Sequence, residues 1–265
     1  MKEKDLLLLK EFLEEKVHLY NNKKFVESDP ISIPHRFTKK QDIEIAGFLA
    51  ATIAWGNRKS IIANGVKLMQ WMDEAPHEFI LNFTKKDLKP FDKFVHRTFN
   101  GTDCVFFLTS LQHLYRKYDS LENSFAQGIN DRDADIKNGI VHFRKDFFSV
   151  KHPVRTEKHV SDPAKKSSAK RLCMYLRWMV RNDKRGVDFG IWKTVKPSQL
   201  CLPLDVHTGN VSRVLGLLKR KQNDWQAVEE VTSQLHKMDP TDPVKYDFAL
   251  FSLGVFEKFI KPQTR

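Results

Sequence analysis

The chain has 265 residues, 41% of them hydrophobic and 20 of them phenylalanine, a composition that supports a packed globule and excludes disorder. A formal net charge of +12 points to a polyanionic partner, because neutralising phosphates releases condensed counterions. No apolar stretch reaches the roughly 20 residues of a membrane span, and the start Met1-Lys2-Glu3-Lys4-Asp5 is too polar for a secretory signal, so a cytoplasmic protein with no membrane association is expected.

In chain order, Leu6, Leu9, Phe12, Leu13 and Val17 recur at three and four and predict an amphipathic helix over 4–20. Asp29-Pro30 and Ile33-Pro34 predict an extended linker, since residues before proline avoid the helical region. Thr38-Lys39-Lys40-Gln41 reads as a capping box ahead of an apolar helix from Ile43 to Trp55, with Gly56 at its end and a further helix from near Arg58 to Trp71 or Met72. Helices are expected at 76–83, 103–117, 134–148, 168–182, 206–218 and 224–237. A last one is expected with Asp242 as N-cap, Pro243 at its first position and Gly254 beyond its end. No period-two pattern marks a strand, so the predicted fold is all-α.

Charge is concentrated over 151–185, where eleven Lys or Arg residues face three acidic ones. A solvated lysine-rich surface would carry the same charge. Placed on a helix, Leu172, Cys173, Tyr175, Leu176, Met179 and Val180 share one arc, while Lys170, Arg177 and Arg181 fall within about 40° of one another opposite it. This predicts one apolar and one cationic face. Cations beside Lys170, and the positive end of the helix dipole, would favour its neutral amine, the form a nucleophile needs. Asp205 precedes a second helix, at a separation of 35 positions from Lys170. The pair suits an amine nucleophile with a carboxylate to assist it.

The stretch 167–181 and the run Asp205, His207, Arg213, Leu215-Gly216-Leu217 resemble the core of helix-hairpin-helix DNA glycosylases, the superfamily of endonuclease III and an archaeal 8-oxoguanine glycosylase. More closely, the stretches 29–37, 48–58, 94–101, 170–183 and 242–254 resemble an uncharacterised, mostly bacterial family whose domain has no assigned function. The distant resemblance implies one glycosylase-like unit over 1–265, built as two helical lobes around a cleft. Residues 163–183 would form a degenerate hairpin-helix segment, for Pro163-Ala164-Lys165-Lys166-Ser167-Ser168 lacks the glycines of the standard turn. Lys165, Lys166, Ser167 and Ser168 would then replace backbone contacts to phosphate with side-chain ones. Arg171, Arg177 and Arg181 would add to that surface. So would Asn57 and Arg58, which follow Trp55 where the superfamily inserts a loop into the stack.

The implied activity is a DNA base-excision repair glycosylase/AP lyase. Its substrate would be double-stranded DNA carrying a damaged base, an oxidised purine by likeness to the archaeal enzyme, and its place would be with the nucleoid. Lys170 would be the Schiff-base nucleophile and Asp205 its partner, with His207 in support. Trp55, Trp178 and Trp192 are candidates for stacking on an extruded base. Each has a plainer reading: Lys170 as a solvent-facing residue, Asp205 as an N-cap, His207 as packing, the tryptophans as core. Cys104, Cys173 and Cys201 are odd in number and far apart, and none follows Cys201, so neither a disulfide framework, a zinc site nor the iron–sulfur loop of endonuclease III is expected. No metal, cofactor or obligate protein partner is implied. Two other classes remain: a DNA-binding module of the same fold without chemistry, and a helical protein that binds RNA or another protein.

Overall fold

The computed structural model describes residues 3–130 and 132–259; of the charged start, Met1 and Lys2 lie outside them. The chain is mostly helical, in keeping with the all-α expectation. Helices α1 (Glu3–Tyr20), α2 (Lys23–Glu27), α3 (Lys40–Thr52), α4 (Arg58–Trp71) and α5 (Pro76–Asn82) come first. A small antiparallel pair follows, β1 (Val95–His96) and β2 (Phe99–Asn100), then α6 (Gly101–Tyr118), α7 (Leu121–Ala126) and α8 (Lys137–Phe147). The remaining helices are α9 (Lys170–Val180), α10 (Val206–Val214), α11 (Trp225–Met238) and α12 (Asp247–Val255).

The chain divides into two compact units. One comprises Met1–Phe25, Ala134–Ile136 and Asp162–Arg265; the other comprises Val26–Asp133 and Lys137–Ser161. The second is organised on α3, buried without a break from Ile43 to Thr52. The Phe48 ring meets those of Phe107, Phe143 and Phe147 at 5.4–5.8 Å. Glu44, fully buried among them, is tolerated because its carboxylate accepts from the Tyr115 hydroxyl at 2.8 Å and the Leu121 N–H at 3.1 Å. In the first unit α12 packs between α1 and α10. The predicted apolar arc of α9 is buried as expected.

Local chemistry corrects several boundaries. The two prolines of the expected linker instead open 3-10 turns, Pro30–Ser32 and Pro34–Arg36, the first held by the Asp29 carboxylate accepting from the Ile31 N–H at 3.1 Å. Helix α3 starts at Lys40, with no side-chain cap from Lys39, and stops at Thr52, leaving Trp55 and Gly56 in the following loop. Asp242 does not cap α12; its carboxylate is taken by Arg181, and a 3-10 turn, Pro243–Tyr246, leads into the helix at Asp247. Gly254 lies inside α12, where an added Cβ would come within 3.0 Å of the His207 Cβ, so its smallness serves helix packing rather than termination. The two strands, each only two residues long, are too short to carry a period-two pattern.

Candidate functional site

Lys170 is the first residue of α9 and Asp205 the N-cap of α10. The fold of the first unit brings their side chains together, Lys170 Nζ donating to Asp205 Oδ2 at 2.8 Å. The lysine side chain is 31% exposed and the carboxylate 16%, so the pair is held by protein yet open to solvent on the amine side. The other carboxylate oxygen accepts both the N–H and the hydroxyl of Thr208 at 2.9 Å. Burial pushes the Asp205 carboxyl up, but the Lys170 ammonium and the two Thr208 donors outweigh it and hold it below the usual aspartate value. An ammonium and an ionised carboxylate at this distance can exchange a proton directly.

The supporting shell differs from expectation. His207 is exposed and its Cβ faces α12 at Gly254, while Asp205 is oriented by Thr208 and by Asn223, whose Nδ2 donates to the Asp205 backbone carbonyl at 3.0 Å. Asn223 is fixed in turn by Arg213, which donates to its Oδ1 at 2.6 Å and to the carbonyls of Arg220 and Lys221 at 2.8 Å each. The Thr208 N–H bond follows from Asp205 as N-cap, since such a side chain accepts from the N–H three residues on, but the hydroxyl bond had no signal of its own. Asn223 carried no such signal, because its partner is 18 positions away.

The turn before α9 is built without glycine. Asp162 caps a 3-10 turn, Pro163–Lys165, and the chain then passes through the left-handed region at Lys166 (φ 67°) and Ala169 (φ 46°). Pairing of Ser167 with Asp224, and a Trp225 N–H to Lys166 carbonyl bond of 3.1 Å, tie this turn to the start of α11. Lys165 and Lys166 are exposed, Ser167 and Ser168 half-buried. Ser167 Oγ accepts from the Ala169 N–H at 3.3 Å and so serves the turn itself.

Arg177 and Arg181 require a correction. They do lie opposite the apolar arc, but that side of α9 is covered by carboxylates, and the two residues are only 4% and 2% exposed. Arg177 donates to Asp188 Oδ1 at 3.2 Å and to Asp247; Arg181 donates to Asp188 at 2.9 Å, Asp183 at 2.8 Å and both oxygens of Asp242 at 3.0 Å. Both guanidiniums lie over the Phe248 ring, at 4.4 and 5.5 Å from its centroid. They are internal ions, buried against their carboxylate partners. Arg171 is half-buried, and burial pulls its guanidinium down to about 10.

Trp178 and Trp192 are 0% and 1% exposed, which removes both as stacking surfaces; Trp192 meets Tyr175 edge-on at 5.5 Å instead. In the second unit, Trp55 is half-buried, stacked on His159 at 6.0 Å and edge-on to His96 at 5.3 Å. Its carbonyl pairs with His96 Nε2 at 3.1 Å. Asn57 is exposed, and its Oδ1 accepts from the Ser60 N–H at 3.3 Å as the N-cap of α4. Gly56 has φ +103°, with the Arg97 side chain against it, and Arg58 is half-buried.

Among the described residues no group of three or more His, Cys, Asp or Glu is placed to hold a metal ion, and no helix is long and apolar enough to cross a membrane. No curated protein and no solved structure matches the chain. Residues 29–256, which take in the Trp55 loop and both halves of the Lys170–Asp205 pair, match the model of a family described as a protein of unknown function, DUF2400, and the chain belongs to that family.

Proposed function

We propose that the protein is a DNA glycosylase/AP lyase that removes a damaged base through a Schiff base on Lys170. The observation that carries this reading is the 2.8 Å contact between Lys170 Nζ and Asp205 Oδ2, made by residues 35 positions apart at the starts of two helices. Lys170 passes a proton to Asp205, and its free amine bonds to C1′ of the damaged nucleotide. The glycosidic bond breaks with its electron pair leaving on the base, which takes up a proton. Opening of the sugar ring gives the iminium, and loss of a C2′ proton from it expels the 3′ phosphate. Asp205 gives the proton it took from Lys170 to the departing base and, a carboxylate again, stabilises the positive charge that develops on the sugar. The helix-hairpin-helix, glycosylase-like arrangement of the helices and the preference for an oxidised purine belong to the same proposal.

The Asp205–Thr208 cap also favours a second reading, because the ion pair then completes a helix start without chemistry. That reading is a DNA-binding module of the same family, recognising damaged or branched DNA. Borohydride trapping on duplexes carrying 8-oxoguanine, oxidised pyrimidines, uracil or an abasic site separates the two. The expected result is a covalent adduct on a base lesion with the native chain and none with Lys170→Gln. No adduct and no base release, with DNA binding intact, would leave only the module.

A further inference from the structure

The loop 219–224 between α10 and α11 is more ordered than a solvating charge run requires. Arg213 holds the Arg220 and Lys221 carbonyls, Glu230 accepts the Lys219 and Arg220 N–H groups at 2.7 and 3.3 Å, and Asn223 links the loop to the Asp205 backbone. Arg220 is consumed internally by Asp224. Lys219 and Lys221 are exposed, and among the described residues no carboxylate lies within ion-pair distance of either, nor of Lys165 and Lys166 in the turn before α9. The two basic segments lie side by side, joined by the Ser167–Asp224 bridge and the Trp225 to Lys166 bond. The loop reaches the pair through Asn223, bonded to the Asp205 carbonyl, and the turn reaches it through the chain itself, Lys166 standing four positions before Lys170.

We infer that Lys219 and Lys221, with Lys165 and Lys166, form a preorganised cationic strip that grips the backbone phosphates of duplex DNA beside the Lys170–Asp205 pair. The inference rests on the proposed DNA-directed function and adds Lys219 and Lys221 to the turn lysines that the sequence already pointed to as phosphate ligands. Charge complementarity selects the partner: the strip offers ammonium donors without acceptors, and every acidic group of the loop is already neutralised or tied to backbone. Because the backbone is fixed before binding, little order is lost on engagement.

The test is the salt dependence of binding to a duplex containing a stable abasic-site analogue, followed by fluorescence anisotropy for the native chain, Lys219→Ala/Lys221→Ala, Lys165→Ala/Lys166→Ala, and a control pair of equal charge change on α1, Lys4→Ala/Lys10→Ala. Thermal melts establish that each variant is folded. Each strip variant is expected to flatten the slope of log K against log salt by about 1 to 2, and the control to leave it unchanged. An unchanged slope for Lys219→Ala/Lys221→Ala, or an equal change in the control, would overturn the strip while leaving the DNA-directed reading standing. Failure of the native chain to bind the duplex at any salt would overturn both.

Discussion

Arg177 divides one positive charge between Asp188 and Asp247, and Asp205 adds a further negative charge nearby. Burial therefore pushes the Asp247 carboxyl up, the pull of Arg177 only partly offsets it, and the group titrates at about 6. A carboxyl raised on folding contributes stability that is full below its unfolded value and lost as pH rises through the folded one. Between pH 4 and pH 6 the native chain should thus lose roughly 2–3 kcal/mol relative to Asp247→Asn. Urea unfolding of both proteins across that window checks this, and a constant difference would refute it. Asp205 acts with the opposite sign, since its lowered value supplies stability above the usual aspartate range that is lost on acidification. Lys170→Gln removes the main attractive charge that holds Asp205 down, so the variant should lose less stability than the native chain as pH falls below 4.

The turn that precedes α9 places Lys166 and Ala169 in the left-handed region, a conformation that costs an L-residue about 1 kcal/mol or more. Lys166→Gly relieves this strain at an exposed position and is expected to stabilise the protein by about 0.5–1 kcal/mol, read as a raised Tm. The same change removes one cation of the strip, so stability and DNA affinity should move in opposite directions. Helix α9 also illustrates which information a sequence holds. Its apolar arc was legible because burial follows local period, and Asp205 was legible because capping is local. The fate of Arg177 and Arg181 was not, because the carboxylates that bury them include Asp242 and Asp247, 61 and 70 positions away. The first residue of α12 was misplaced for the same reason: Asp242 has the residue type of a cap, but a distant arginine competes for it and wins. Trp178 and Trp192 became core residues because α9 is covered on both sides, something one helix's pattern does not reveal.

At the scale of the molecule, the three thiols are fully buried, Cys104 in the second unit and Cys173 and Cys201 in the first. Burial pushes all three up, well away from the thiolate form that reacts. An aromatic disulfide reagent should therefore titrate none of them in the native protein and all three after unfolding, with Cys104 and the Cys173/Cys201 pair reporting the opening of separate units. Rapid reaction of any thiol under native conditions would contradict that burial. The interleaving of the units has one more consequence. The second unit closes with Ser161, so during synthesis its whole sequence is available while the first is still being made. Helix α1 is translated ahead of the second unit, yet α11 and α12, against which it packs, do not begin until Trp225 and Asp247. The apolar stripe of Leu13 and Val17 must wait, uncovered, while the whole second unit is made. A helix made before the second unit thus finds its place only after that unit is complete.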